Sequence, residues 1–138
     1  MQTERGQVVR VLFPNSDLRT AKRRPALVPQ SNALASGLSQ TIVAMITSNP
    51  ARAGHPRRVT VLTSAPEGKA AGLRLDSVIM ADNLATVLDS EIDSVLGALP
   101  DTSAVDHALR YTLDLWAPPV TQQKMTEKNE TRRLGKRC

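Results

Sequence analysis

Several stretches of the chain carry the apolar patterning of β-strands. Residues 7–13 (QVVRVLF) are β-branched and apolar and predict a first strand, ended by the turn cluster Pro14, Asn15, Ser16 and Asp17. From there to Arg24 the chain is polar and basic without apolar period, which predicts a flexible loop. Residues 25–28 predict a short second strand that Pro25 can only open, and Pro29 removes another ladder donor. Residues 31–40 read as loop or one irregular turn, and 41–47 (TIVAMIT) as the clearest buried strand. A second basic loop, 49–56, is broken by Pro50, Gly54 and Pro56, and 58–62 alternates as a strand should. Residues 64–72 read as a connection, and 75–81 and 84–88 as two further short strands.

Past residue 88 the period changes. Residues 89–93 suggest one helical turn. Val105, Ala108, Leu109, Thr112, Leu113 and Trp116 then recur at i, i+3, i+4, i+7, i+8 and i+11, an amphipathic helix of about four turns. Asp101, Thr102 and Ser103 are its N-cap candidates. Ser103 and Asp106 have capping-box spacing, and Pro118 and Pro119 stop the helix. Residues 117–138 form a basic tail with few large apolar groups, expected to be disordered. The predicted fold is therefore mainly β (α+β): one domain over 1–116, a curved sheet or half-open barrel with a late helix packed on it.

Charge changes this picture. The net charge is +5, but it is lumped. Residues 1–74 hold eleven Lys/Arg against Glu4, Asp17 and Glu67, whereas 75–116 hold Arg110 against eight Asp/Glu. A basic face beside an acidic one is expected, and a basic face attracts polyanions. Phe13, Tyr111 and Trp116 are the only aromatics, so base stacking on aromatic rings cannot be the main hold on a nucleic acid. Two His and a lone terminal Cys138 leave too few soft ligands for a structural zinc site, and no metal or other cofactor is expected. The single Cys suggests a reducing, cytoplasmic setting. No apolar run approaches a membrane span, and the start has no apolar signal-peptide core.

Four segments taken in order carry a family likeness. They are Arg5 to Val9; Lys22-Arg23-Arg24-Pro25-Ala26-Leu27-Val28; Ile42 to Ser48; and Gly72 to Ile79 followed by Asp82 to Thr86. The chain resembles the MazF/PemK family of toxin components from bacterial toxin–antitoxin pairs. The resemblance implies an SH3-like curved sheet of MazF/CcdB type, usually homodimeric, and a growth-inhibiting mRNA interferase. Such an endoribonuclease cuts single-stranded RNA without metal: the 2′-hydroxyl attacks its own phosphate, leaving a 2′,3′-cyclic phosphate and a 5′-hydroxyl. The implied partner is a cognate antitoxin whose acidic segment covers the RNA groove.

Carried over residue by residue, the active residues are Arg24 and Thr47. Asp82 is a third candidate, as an acid/base group. Some members place an Arg two positions before that Asp, where this chain has Met80, and Gln7 and Pro29 also depart from the family pattern. Arg24 offers a permanently charged fork for two phosphate oxygens, and Thr47 a hydroxyl for the phosphate or the 2′-OH. Arg19, Lys22, Arg23 and Arg52, with Arg57 and Arg58, are expected to track phosphates at one rim, with Ser48 and Asn49 adding donors. His55 offers an alternative base, and His107 lies beside the helix stripe. Two alternatives remain at this point: a CcdB-like toxin that binds a protein such as gyrase, and an inactive RNA-binding module of the same fold.

Overall fold

The computed structural model describes residues 2–34 and 36–115, so Trp116, the two prolines and the basic tail lie outside the described residues. Six antiparallel strands form one sheet: β1 Gln7–Pro14, β2 Ala21–Leu27, β3 Gln40–Thr47, β4 Arg58–Val61, β5 Ser77–Leu88 and β6 Ile92–Ala98. Their order across the sheet is β4-β5-β3-β2-β1-β6. Helix α1 spans Pro66–Ala71 and α2 spans Ser103–Leu113, and short 3₁₀ turns occupy Pro50–Arg52 and Asp89–Glu91.

Alternation along β1 divides the interior. Val8 packs with Leu27, Ala44, Ile46, Ile79, Ala71 and Val105, under the two helices. Val9, Val11 and Phe13 point the other way and pack with Ala26, Val28, Val43, Val87 and Ile92. Val87 of β5 and Ile92 of β6 belong to this second cluster although three strands separate β5 from β6 in the sheet. The sheet must curl on itself to bring them together, which makes the predicted curved, half-open barrel with its C-terminal helix the observed fold.

The structure corrects several local expectations. Most of the predicted loop up to Arg24 is strand: Lys22, Arg23 and Arg24 pair with Phe13, Leu12 and Val11, so β1 and β2 form a hairpin whose turn is only 15–20. Pro25 sits inside β2 and does not open it. Val28 exchanges both backbone bonds with the Gly6–Gln7 strand start. By alternation the nitrogen of Pro25 faces away from β1, toward β3, and β3 pairs with β2 only at Ala26 and Leu27. No ladder bond is lost there.

The two predicted strands 75–81 and 84–88 are one bent strand. Ala44 pairs with Leu84 and Met45 with Met80, so residues 81–83 bulge from the ladder. The connection 64–72 contains α1, opened by Pro66 at its first turn and closed by Gly72 at φ 73°. Strand β6 was not predicted. It is an edge strand with one buried residue, Ile92, and a Cβ on its Gly97 would lie 2.2 Å from the Ala70 carbonyl oxygen. Helix α2 ends at Leu113, shorter than predicted, because Asp114 turns left-handed with φ 55°. Its N-cap is Thr102, so no capping box forms on Ser103. Asp101 Oδ1 accepts the Ser103 N–H instead, and Asp106 is taken by Arg5.

Nor are the two charge blocks separate faces. Arg5–Asp106, Arg10–Asp93, Arg23–Asp93 and Arg58–Asp82 each join a base from the first 74 residues to an acid from the block after it.

Candidate active site

Arg24 stands on β2 where two clefts meet, and it lines both. Its guanidinium is held on neutral groups. Nη2 donates to Asn15 Oδ1 at 3.3 Å, and Nη1 points at the Met45 thioether at 3.7 Å. Nε is buried and has no hydrogen-bond partner among the described residues. A buried donor without an acceptor is costly.

The turn before β2 sets this arrangement. The Asp17 carboxylate accepts the backbone N–H groups of Arg19 and Thr20, which holds its pKa below the ordinary carboxylate value. An ionised carboxylate can only accept, so the Thr20 hydroxyl donates to Asp17 at 3.0 Å and accepts from Asn15 Nδ2 at 2.8 Å. That leaves the Asn15 carbonyl oxygen facing Arg24.

On one side of Arg24, a cleft of about 490 Å³ contains Thr47 and Ser48 from the end of β3. Its other polar lining is Ser77 and the basic Arg10, Lys22, Arg23 and Arg74, and no Asp or Glu among the described residues lines it. Thr47 Oγ1 accepts the Asn49 N–H at 3.2 Å, which leaves its own proton free to donate. On the other side, a cleft of about 540 Å³ runs from Asn15 to Arg52, Met80 and Asn83.

The expected residues are therefore not all brought together. Arg24, Thr47, Ser48, Lys22 and Arg23 share the first cleft, and Arg52 lies in the second with Arg24. Arg19 lies in the exposed hairpin turn, and Asn49 caps the 3₁₀ turn with its side chain. Asp82 lines neither cleft. It sits in the β5 bulge, gripped by Arg58 through Nη2 at 3.0 Å and Nε at 3.3 Å. Burial works to raise its pKa, but the Arg58 hydrogen bonds and charge outweigh this and hold it low. His55 and His107 line neither cleft either.

Half of the six basic residues expected to track phosphates are occupied. Arg23 binds Asp93, Arg58 binds Asp82, and Arg57 stacks 5.7 Å from the Tyr111 ring centre. Sequence reasoning missed Asn15, which was read only as a turn residue, and Arg74, which lies within a family-like segment but received no role. Among the described residues, no group of three or more His, Cys, Asp or Glu is placed to hold a metal ion.

The open β-barrel thus carries a cationic cleft lined by both an arginine and a threonine hydroxyl. Comparison with known proteins gives the family. A family model described as PemK-like, MazF-like toxin of type II toxin–antitoxin system matches residues 4–113. Endoribonuclease MazF6 of Mycobacterium tuberculosis is 36% identical over 107 residues, covering 75% of this chain and 90% of that protein. Endoribonuclease MazF2 of Mycobacterium bovis matches to the same extent. Among solved structures, the Mycobacterium tuberculosis toxin MazF-mt6 superposes with a TM-score of 0.62 at 24% identity, over 82% of this chain and all (100%) of that one. The chain belongs to the PemK/MazF family of type II toxin–antitoxin toxins. This match does not favour the CcdB-like alternative.

Proposed function

We propose that this MazF-type endoribonuclease cuts single-stranded RNA without a metal, by attack of a 2′-hydroxyl on the adjoining phosphorus. The 5′-oxygen leaves, giving a 2′,3′-cyclic phosphate and a 5′-hydroxyl. The observation that carries this reading is Arg24: a charged fork with a buried, unpartnered Nε, lining the same basic cleft as Thr47. Its permanent charge, held on the neutral Asn15 and Met45 and not on a carboxylate, suits the crowded phosphorane, where charge develops in the transition state. Thr47 donates its hydroxyl proton to a phosphate oxygen or the 2′-oxygen. No metal is needed for charge stabilisation because Arg24 supplies it. Asp82, already bound to Arg58 and held low in pKa, contributes by fixing the bulge that carries Asn83.

The protein acts as a homodimer in the cytoplasm, where mRNA is its substrate, and an acidic segment of a cognate antitoxin covers the basic cleft. The likeness to a mycobacterial endoribonuclease solved in complex with its cognate antitoxin supports the antitoxin (TM-score 0.63, 24% identity, 85% of this chain and 100% of that one). No helix among the described residues is long and apolar enough to cross a membrane.

The test is digestion of a long unstructured RNA with EDTA present, with the cut ends mapped. Wild type should cut and leave cyclic phosphates. Arg24→Ala should lose ~10²–10³ in rate, on the scale of one preorganised donor. Thr47→Ala should be severely impaired, while Thr47→Ser keeps much of the activity. Cutting that stops in EDTA and returns with Mg²⁺ or Mn²⁺ would refute the reading. So would unimpaired Arg24 and Thr47 variants beside a dead His55→Ala.

A further inference from the structure

The second cleft beside Arg24 has no part in the chemistry just described, yet it is built to a clear chemical pattern. Besides Arg24, its polar lining comprises the side-chain amides of Asn15 and Asn83, the hydroxyls of Ser16 and Thr86 and the charge of Arg52, and Met45, Met80 and Leu84 supply apolar wall. Asn15 is already occupied by Thr20 and Arg24. Asn83 is not. Its one hydrogen bond among the described residues runs from Nδ2 to Met45 Sδ at 3.4 Å, and a thioether is a weak acceptor. One amide hydrogen and the carbonyl oxygen of Asn83 remain available. The β5 bulge at 81–83 is what places this residue off the regular ladder.

We propose that this cleft is a nucleobase pocket, in which Asn83 reads the edge of the base next to the scissile phosphate. This rests on the reading of Arg24 as the phosphate-binding residue. A nucleotide whose phosphate sits on Arg24 has its base within reach of the adjoining cleft, and Arg52 meets the next phosphate. Most single-strand binders hold bases on aromatic rings. Neither aromatic among the described residues serves here: Phe13 is 1% exposed and Tyr111 stacks on Arg57. Met45, partly exposed where Met80 is buried, takes that role, since thioethers pack favourably against aromatic systems. A side-chain amide presents a donor beside an acceptor, and every base carries such a pair on its Watson–Crick edge. The shape of the pocket then decides which base it accepts.

Substitution at position 83 gives a directional test. In Asn83→Asp the amide becomes two acceptors, and only guanine offers two adjacent donors, N1–H and the N2 amino group. Wild type, N83D and N83A should each digest a random-sequence single-stranded RNA pool, with cut sites sequenced and base preference scored by position. Each score is a ratio within one variant, so a lowered overall rate does not affect it. N83D should move preference toward guanine at one position, next to the cut. N83A should flatten that same position by roughly ten- to a hundred-fold, the worth of one paired base edge. If wild type cuts and both variants keep its preference at every position, the pocket is refuted and the assignment of Arg24 stands. If wild type does not cut at all, the assignment of Arg24 falls and the pocket with it.

Discussion

Arg24→Met separates a catalytic arginine from a structural one, because the two roles predict opposite effects on stability. Methionine keeps most of the apolar stem and removes the guanidinium. The structure allows both sides of the change to be sized. What is lost is the bond from the charged guanidinium to Asn15 at 3.3 Å, worth about 1.5 kcal/mol, the low end for a charged donor because the bond is long, together with a weak contact to Met45 Sδ. What is relieved is the burial of Nε without an acceptor, a penalty of about 1–3 kcal/mol. The variant should therefore range from about 0.5 kcal/mol less stable than wild type to about 1.5 kcal/mol more stable, a change in Tm of a few degrees at most on the losing side and up to several degrees on the gaining side in a domain of this size. The same substitution should reduce RNA cutting by ~10²–10³ or more. Thermal unfolding followed by circular dichroism, paired with single-turnover cleavage, reads both effects. A fall in Tm of more than about 5 °C would show that Arg24 holds the hairpin together, and the functional meaning attached to its unpartnered nitrogen would be wrong. Retention of more than a tenth of the cutting rate would be equally damaging.

Two further outcomes follow from the same geometry. Salt should weaken binding of an uncleavable 2′-O-methyl RNA with a log–log slope near −3.5, from Arg19, Lys22, Arg24, Arg52 and Arg74 at roughly 0.7 each. A slope near −5.6 would mean that Arg23, Arg57 and Arg58 also leave their partners for phosphate. Asp93→Asn, which frees both Arg10 and Arg23, should steepen the wild-type slope by about 1.4, roughly 0.7 for each. Thr20→Val keeps the side-chain shape but releases the Asn15 amide, and should slow cutting about fivefold, the worth of one neutral hydrogen bond. Thr20→Ser should restore the rate, and a serine variant as slow as the valine variant would exclude the hydroxyl as the cause.

Sequence reasoning succeeded where a period was strong. The alternation of 7–13, the apolar run of 41–47 and the i, i+3, i+4 stripe of α2 each became the element expected. It failed where pairing overrode composition. Residues 21–24 look like loop because they are polar and basic, yet β1 offers a full ladder to bond them, and Asp17 closes the turn by accepting two backbone N–H groups. Strand β6 was invisible because an edge strand with one buried residue and a glycine has little apolar signal. At the site, family likeness supplied Arg24 and Thr47, and the fold placed both in one cleft. It could not show which other arginines were free. Arg23 meets Asp93 and Arg58 meets Asp82 across 70 and 24 residues of chain, separations that no local pattern reports.

That pairing explains how one chain can keep arginines for stability and for phosphate at the same rim. Arg5, Arg10, Arg23 and Arg58 each face a carboxylate. Such pairs add little net stability at the surface, but they cancel the charge locally and fix the side chain. Arg24 is oriented differently, by an amide oxygen and a thioether. A carboxylate in place of Asn15 would hold the guanidinium more tightly, yet it would neutralise the field that must meet a phosphate and repel the phosphate itself. An amide carbonyl orients without cancelling. The carboxylate in this network is instead set back at Asp17, where it accepts from the turn and reaches Arg24 only through the Thr20 hydroxyl and the Asn15 amide. The hairpin turn thus supplies direction to Arg24 while leaving its charge available, whereas Asp93, from the acidic block after residue 75, neutralises Arg10 and Arg23 on the lining of the same cleft.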